Sequence, residues 1–418
     1  MTHPHQQSSL GAADWAASGM MALTGRPGGP SLGPPAALLA AVGSWANEIA
    51  TRTERWGRRV AVDPLDLLAE RAAAGGLHRG GDVSCGGGSR LLVCADGWTA
   101  VTPARPSDWD LMAALLGRAN PVDPGDWGTL ASGLARLTSH EVRAGAELLG
   151  LPLAVLGERR TPVDHPSHPG DSVPGLRARR LGSASRITDP AGLVVADLSS
   201  LWAGPLVGRL LRRAGARVVK IESRWRPDGA RHGDPRFYRV LNAGKESVAL
   251  DFGTEEGRRQ LGRLLSQSDV VITAARPRAL EQLGLDLEDL ILRGRPRVWL
   301  SITGYGHSPG SRDRVAFGDD AAVAGGLVAW DELGPCFCGD AIADPVTGLA
   351  ATAAVLGALD SSHGWSIEAS MADLSGGLAG PALPVTGLHP TPPVLRGPPT
   401  APAAPFGADT ATVLAALS

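Results

Sequence analysis

Between residues 193 and 303 short apolar runs alternate with amphipathic stretches, and this alternation most narrows the folds open to the chain. Residues 193–198 (LVVADL) read as a buried strand, 205–213 as an amphipathic helix and 216–222 (ARVVKIE) as a second strand. Parallel strands need a crossover of a dozen or more residues, so this is a βαβ unit. The pattern continues with a strand at 247–251 and a helix from Thr254 carrying Glu255 and Glu256 in its first turn, where the helix dipole favours acids. Strands at 269–273 and 297–303 follow, ahead of Gly304-Tyr305-Gly306. Residues 190–305 are thus expected to form an α/β fold, a Rossmann-like doubly wound parallel sheet.

Elsewhere the chain divides by its prolines. Residues 161–174 (TPVDHPSHPGDSVP) carry no apolar periodicity, and their prolines forbid a helix interior, which marks a linker over 161–190. Residues 381–405 hold nine prolines in 25 positions and read as an extended, surface-wrapped tail ending in a short helix at 410–417. An internal repeat is visible at a shift near 306: Ser18-Gly19 matches Ala324-Gly325, Gly29-Pro30 matches Gly334-Pro335, and Gly57 and Asp66 match Gly364 and Asp373. The expected organisation is a region at 12–160 with a small-domain-like part at about 85–160, the linker 161–190, a Rossmann-like region at 191–380 and the tail 381–418.

At 418 residues the chain is long enough for two or three compact units. Its 40 basic and 42 acidic side chains leave a net charge of −2, so no global basic field exists to hold nucleic acid or an anionic membrane, and neither is expected as a partner. The longest apolar runs, near 36–50 and 346–359, fall short of the roughly 20 residues a membrane helix needs. Residues 1–10 are polar and lack the apolar core of a secretory signal; a cytoplasmic location is expected. Cys85, Cys94, Cys336 and Cys338 are too few for a disulfide scaffold and poorly spaced for zinc, so they read as reduced, mostly buried thiols, and no metal is expected.

Two local motifs bear on chemistry. Asp344 followed by Pro345 reads as an N-cap with proline at the first helical position, opening a helix over 346–359. That role alone explains the aspartate; a carboxylate fixed at a helix N-terminus is equally suited to attack an acyl carbonyl. Trp202-Ala203-Gly204-Pro205 lies between the first strand and its helix, a phosphate-binding candidate without G-x-G-x-x-G, and Glu222 ends the second strand where a ribose-binding acid is expected. From Arg217 to Arg239 seven basic residues, Arg224 and Arg231 among them, face three acids. Such an excess suits a ligand with several phosphates, and a solvated basic surface is the alternative. His232, His307 and His363 have no acidic or cysteine neighbour at ligand spacing and read as loop histidines. Gly86-Gly87-Gly88 reads as a turn, with a mobile lid as the alternative.

Five ordered segments then carry a resemblance: VVADLSSLWAGPLVGRLLRRAGARVVKIE (194–222), LNAGKESVALDF (241–252), RPRALEQLGL (276–285), SITGYG (301–306) and ADPVTGLAATAAVLGAL (343–359). In order and spacing they resemble the class III CoA-transferases, the CaiB/BaiF group. Residues 57–68 and 86–101 resemble stretches that in this family follow the catalytic helix and lead into a smaller α+β domain, so a downstream half precedes an upstream half. A fusion of two incomplete copies, or a permutation, accounts for this order and for the repeat.

The resemblance implies a Rossmann-like large domain with CoA lying across it and covalent acyl intermediates on Asp344. With those local readings, the expected CoA contacts are Ala203, Gly204, Pro205, Glu222, Arg224, Arg231, Lys245 and Arg276. The resemblance also implies acyl-CoA and a carboxylic acid as substrates, no permanently bound cofactor, and a homodimer or a heteromer with a homologue, the chains interlocked as rings. Two departures stand out: Ala274-Ala275 replaces the family's frequent Asn-Phe, and the first copy has no carboxylate near Leu38, where Asp344 would correspond. Two rivals remain, a 2-methylacyl-CoA racemase or epimerase of the same fold and a degenerate CoA-binding partner protein. The family's racemases place a His within Gly-His-Asp; here the stretch reads Gly318-Asp319-Asp320, expected as exposed loop carboxylates with ordinary pKa, which favours transfer.

Overall fold

The N-terminal region opens with three helices, α1 (Ala12–Ala17), α2 (Ala36–Glu54) and α3 (Pro64–Gly75). Local chemistry sets the limits of α3. The Asp63 carboxylate accepts from the Leu65 and Asp66 N–H groups, Pro64 takes the first helical position, and Gly76 ends the helix at φ 64°. A smaller α+β unit follows, in which β1 (Arg90–Cys94), β2 (Gly97–Val101) and β3 (Leu153–Val155) form an antiparallel sheet. Helices α4 (Pro106–Leu115), α5 (Trp127–Leu134) and α6 (Ser139–Leu149) close over it with their own apolar cluster, built around Trp109, Met112, Leu130 and Val142. In this computed structural model residues 10–160, 173–285, 290, 296–397 and 401–417 are described.

The second region holds a seven-stranded sheet made of β4 (Leu176–Ser183), β5 (Val194–Leu198), β6 (Arg217–Ser223), β7 (Glu246–Leu250), β8 (Val270–Thr273), β9 (Val298–Thr303) and β12 (His363–Ser370). Its order is β4-β12-β9-β8-β5-β6-β7, parallel throughout except for β4 against β12. The helices are α7 (Ala203–Arg213), α8 (Pro235–Asn242), α9 (Glu255–Ser266), α10 (Pro277–Gln282), α11 (Gly318–Gly325), α12 (Ala343–Leu359), α13 (Met371–Leu378) and α14 (Thr410–Ala415). A hairpin of β10 (Val328–Asp331) and β11 (Gly334–Phe337) precedes α12. The fold is therefore the α/β, doubly wound type expected, and each expected strand lies within one or two residues of its observed position.

The expected linker needs correcting. Residues 161–172 lie outside the described residues, but Leu176–Ser183 is an edge strand rather than a connector. Its sequence, LRARRLGS, is mostly exposed, and charged exposed edges are how sheets avoid pairing with other chains, so the strand lacks the apolar alternation that would reveal it. At the opposite edge the proline-rich tail covers β7. Asp409 Oδ2 accepts from Ser247 N at 2.8 Å, Asp409 N donates to Ser247 O at 2.9 Å, and Ala249 N donates to Thr410 Oγ1 at 3.0 Å.

Helix α12 is the core of the molecule: 14 of its 17 residues are buried. It packs against α7 on one side and α2 on another, over β9 and β12. Its small residues permit this close approach, as at Gly348, where a Cβ would sit 2.9 Å from Ala203 O and 2.7 Å from a Leu206 methyl. Helices α1, α2 and α3 begin at Ala12, Ala36 and Pro64; α11, α12 and α13 begin at Gly318, Ala343 and Met371, at offsets of 306, 307 and 307 residues. Helix α12 touches α2 and α3, while α2 touches α12 and α13. Such reciprocal contacts are those of two elements related by a two-fold axis.

Candidate functional site

The strand order reverses between β5 and β8, and in open α/β sheets ligands bind beyond the carboxyl ends of the strands at such a point. Two loops meet there. One leaves β5 and enters α7 through Leu201 and Trp202; the other leaves β11 and enters α12 through Gly339, Asp340 and Ala341. Leu201 (φ 68°) and Ala341 (φ 44°) are the non-glycine residues with positive φ among the described residues, one in each loop. That conformation costs about 1–3 kcal/mol per residue and persists where the surroundings over-determine it. Leu201 N donates to Asp228 Oδ1 at 2.9 Å, and Ala341 N donates to Asp319 Oδ1 at 3.1 Å.

Asp344 lies where the loops converge, but it is not the N-cap. Helix α12 starts at Ala343 with Ile342 as its cap, so Asp344 is the second helical residue and Pro345 the third. The Asp344 N–H is already used, donating to Ala341 O at 2.9 Å, and the carboxylate is free of capping duty. The backbone N–H of Ala203, the first residue of α7, faces it and favours its charged form. Two helix N-termini thus face one carboxylate, each favouring its charge. Burial outweighs them: it pushes the Asp344 pKa up to about 7, with Asp319 and Asp340 adding to the rise and Arg71 and the Ala203 N–H opposing it. Asp344 is still only half-buried, unlike its flanking residues Ala343 and Pro345. Gly318 makes room for it, since a Cβ there would collide with Asp344 Oδ2 and Ala341 O.

Around Asp344 stand groups that sequence reasoning did not assign to the site. Arg71, from α3, binds Asp340 through both carboxylate oxygens, Nε to Oδ2 at 2.8 Å and Nη2 to Oδ1, with Asp340 fully buried. Asp319 and Asp320 are not exposed loop carboxylates, which is a correction. Both lie in the first turn of α11, and burial raises both pKa values, that of Asp320 to about 8. Asp319 Oδ2 accepts from Ser89 Oγ at 2.9 Å, and Asp320 Oδ1 accepts from Phe317 N at 2.8 Å. The Cys85 thiol, beside the Gly86-Gly87-Gly88 turn, donates to Gly339 O at 3.4 Å, and burial raises its pKa far above the ordinary thiol range. Burial likewise pushes Cys336 and Cys338 up to about 12, and all four cysteines are free thiols.

The expected CoA contacts separate into groups. Ala203, Gly204 and Pro205 open α7 directly beside Asp344. Glu222 and Arg231 are bound to each other, Nε to Oε1 at 2.9 Å and Nη2 to Oε2 at 2.5 Å, so the ribose-binding acid already holds a partner. Lys245 is buried, with Nζ 2.8 Å from Asp197 Oδ2 and 2.9 Å from Pro205 O, and so braces β5 and α7 from inside the fold. Arg224 is exposed and unpaired with a carboxylate among the described residues, and Arg276 donates to Asp313 O at 3.2 Å. Of the seven basic residues between 217 and 239, Arg217, Lys220, Arg231 and Arg236 are ion-paired, which reduces the available patch. His307 is not isolated: its Nε2 lies 2.9 Å from Ser301 Oγ, and its backbone N–H donates to Glu368 Oε1 at 2.8 Å. Strand pairing of β9 with β12 brings these residues together across the sequence.

Arg71, Ser89, Asp319 and Asp340 were missed as site residues because four separate segments contribute them. Only Asp340 had a legible signal, lying four residues before Asp344. Among the described residues no group of His, Cys, Asp and Glu is placed to hold a metal ion, and no helix is long and apolar enough to cross a membrane.

Residues 191–406 match the sequence profile of CoA-transferase family III. The chain is 33% identical over 179 residues to the succinyl-CoA–D-citramalate CoA-transferase of Chloroflexus aurantiacus, covering 40% of this chain and 44% of that protein. It is 30% identical over 206 residues to the succinate–glutarate CoA-transferase of Agrobacterium fabrum, covering 44% and 51% respectively. A crystal structure of a CaiB/BaiF family protein from Brucella suis aligns with 45% of this chain and 54% of its own, at 33% identity and a TM-score of 0.42. The chain spans about half the length of the curated relatives it matches. With a family match across more than half of its residues, on the sheet and the Asp344 loop just described, the chain belongs to CoA-transferase family III.

Proposed function

We propose that this protein transfers CoA between an acyl-CoA and a carboxylic acid, with Asp344 as nucleophile. The observation that supports this most is the setting of Asp344: a half-buried carboxylate, outside the cap, between two helix N-termini and two strained loops. In the reaction the Asp344 carboxylate adds to the thioester carbonyl and expels CoA thiolate, giving a mixed anhydride. The thiolate attacks the aspartyl carbonyl, releases the donor acid and leaves an aspartyl thioester. The acceptor carboxylate then attacks that thioester, expelling CoA thiolate, which recaptures the acceptor acyl group and frees Asp344. One activated carboxyl replaces another at each step, so charge and atoms balance. The Ala203 N–H, which faces the Asp344 carboxylate, is placed to donate to the oxyanion formed at the aspartyl carbonyl. Arg224 and Arg276 are the exposed cations proposed for the CoA phosphates, and residues 12–160 are read as a degraded copy with a small-domain-like part.

Mass spectrometry of the protein after incubation with a panel of acyl-CoAs and hydroxylamine tests this reading. One hydroxamate per chain is expected, on the peptide containing Asp344; no adduct, or one before residue 160, overturns it.

The racemase reading gains one observation: burial raises the pKa values of both Asp319 and Asp320, that of Asp320 to about 8, in the range suited to a base near neutrality. Their geometry opposes it. Asp319 is committed to Ser89 and Ala341, and Asp320 is fully buried. Exchange at the 2-position of a 2-methylacyl-CoA in deuterated water, with no acceptor acid, would support racemisation; transfer to an added acid without exchange supports the transferase.

A further inference from the structure

Arg71 belongs to the N-terminal region, yet every charged group it faces belongs to the catalytic loop region some 250 residues or more downstream. Its anchoring is built in. The preceding residue, Glu70, is buried and accepts from Arg209 Nη1 of α7 with both oxygens at 2.7 Å, which pins α3 to the helix that begins at Ala203. The next side chain on α3 is thereby aimed into the loop cluster. The Arg71 guanidinium lies 5.8 Å from the centre of the Trp202 ring, and a Cβ on Gly86 would come within 3.4 Å of its Nη2. Its reach is to Asp340 directly and to Asp319 and Asp344 through space.

From this geometry we infer that Arg71 is a positioning residue for the chemistry at Asp344: it fixes Asp340 against the loop before α12 and supplies the counter-charge to three neighbouring carboxylates. The inference rests on the reading of Asp344 as nucleophile. Three carboxylates on one small site cannot all carry charge without a cation, because like charges at close range raise one another's pKa. The groups acting on Asp344 are Arg71 from α3, Asp319 from α11, Asp340 from its own loop and the Ala203 N–H from α7. Other charges brought against α12 are paired elsewhere: Arg209 with Glu70, Arg52 of α2 with Asp360, and Asp373 of α13 with Arg159. The repeat supplies an independent argument. At the 307-residue offset of α2 from α12, Arg71 corresponds to Leu378 and Asp344 to the exposed Ala37. Cation and carboxylate are both present at one of two reciprocal places and both absent at the other. The N-terminal copy therefore serves the remaining site in cis.

The test compares Arg71→Ala, Arg71→Lys and Asp340→Asn in the full chain, with two readouts across pH 5.5 to 9. One is the rate of Asp344 adduct formation from acyl-CoA. The other is esterification of Asp344 by a diazo reagent, which takes protonated carboxyls and needs no turnover. Removing the cation is expected to move the Asp344 midpoint up by about one pH unit, so that adduct formation falls about fivefold at neutrality, approaches about tenfold at lower pH and recovers at higher pH. Arg71→Lys should restore part of the shift. Asp340→Asn, which removes a carboxylate and leaves Arg71 free to face Asp344, should move the midpoint down. Opposite shifts establish the counter-charge role. A midpoint unchanged in the folded variants, or moved the same way by Arg71→Ala and Asp340→Asn, overturns it. Should Arg71→Ala fail to fold, the lysine and asparagine variants decide between the same outcomes. An esterification midpoint that shifts as expected in a protein forming no adduct at any pH would overturn the transferase reading and leave the electrostatic role of Arg71 standing.

Discussion

Helices α2 and α12 pack on each other at corresponding places of the repeat, and they differ sharply in their first turns. Helix α12 begins with the buried Ala343, the half-buried Asp344 and the buried Pro345, under loops from α7 and α11. Helix α2 begins after Pro34-Pro35 with Ala36 and Ala37 exposed. Over the rest of their length both bury an apolar face, α2 through Leu38, Leu39, Val42, Trp45 and Ile49. Packing thus survives in both helices, while the polar apparatus is present in only one. A helix body is held by buried area, which many sequences satisfy, whereas a buried carboxylate needs specific donors and a counter-charge or its desolvation makes the fold less stable.

The largest expected effect comes from Asp344→Asn. Transfer should fall by several orders of magnitude, since an amide cannot form the anhydride, and the hydroxamate should vanish. Stability should move the other way. The native carboxyl keeps its proton to about pH 7, whereas the unfolded one loses it near 3.8, so wild-type stability falls as pH rises through that window. The Asn variant escapes this loss and should be more stable by roughly 1–4 kcal/mol at pH 8, with little gain at pH 4, in denaturant titrations. Equal pH dependence of the two proteins would show that burial does not burden Asp344.

A second contrast sets Gly318 against Ala12, the residues that open α11 and α1 at an offset of 306. Gly318→Ala would press a methyl group into Asp344 and Ala341, and should cost about 1–3 kcal/mol in stability while slowing adduct formation. The reverse change, Ala12→Gly, meets no carboxylate and should cost under about 1 kcal/mol, the propensity difference at a helix end. Thermal melts of the pair read the difference; equal losses would mean that the glycine is not there to accommodate Asp344.

The smallest effect is expected from Ala37→Asp, which places a carboxylate at the first-copy counterpart of Asp344. Exposed at a helix N-terminus, it should stabilise by about 0.3–1 kcal/mol at low salt and stay chemically inert. A second hydroxamate, mapped to that peptide, would show that the first copy needs only the carboxylate to act.

Much of the sheet was legible because strand and helix periodicities are local properties. The runs at 193–198, 216–222 and 269–273 became β5, β6 and β8 nearly as read, since buried parallel strands are apolar on both faces. Strand β4 escaped because its exposed edge is written in arginines. Asp344 was legible as a residue to watch, through Asp-Pro ahead of an apolar helix and through the family resemblance. Its actual position, two residues past the cap, depended on Ala341 adopting a left-handed conformation that no local rule assigns to alanine. His307 and Lys245 were placed in the wrong company for a related reason, as their partners Glu368 and Asp197 lie 61 and 48 residues away.

The amino-acid sequence alone determined the α/β class, the order of the parallel strands' sequence elements, the catalytic candidate and the repeat at an offset near 306, because each is carried by spacing along the chain. Only the tertiary structure decided that Arg71, Ser89, Asp319 and Asp340 surround Asp344, and that Lys245 is a buried brace. Charge pairing in a folded chain is set by which surfaces become neighbours, and the Arg71–Asp340 contact joins residues 269 positions apart. Such a pair has no local signature: either side chain, read in its own segment, is an ordinary residue on the polar side of a helix or loop.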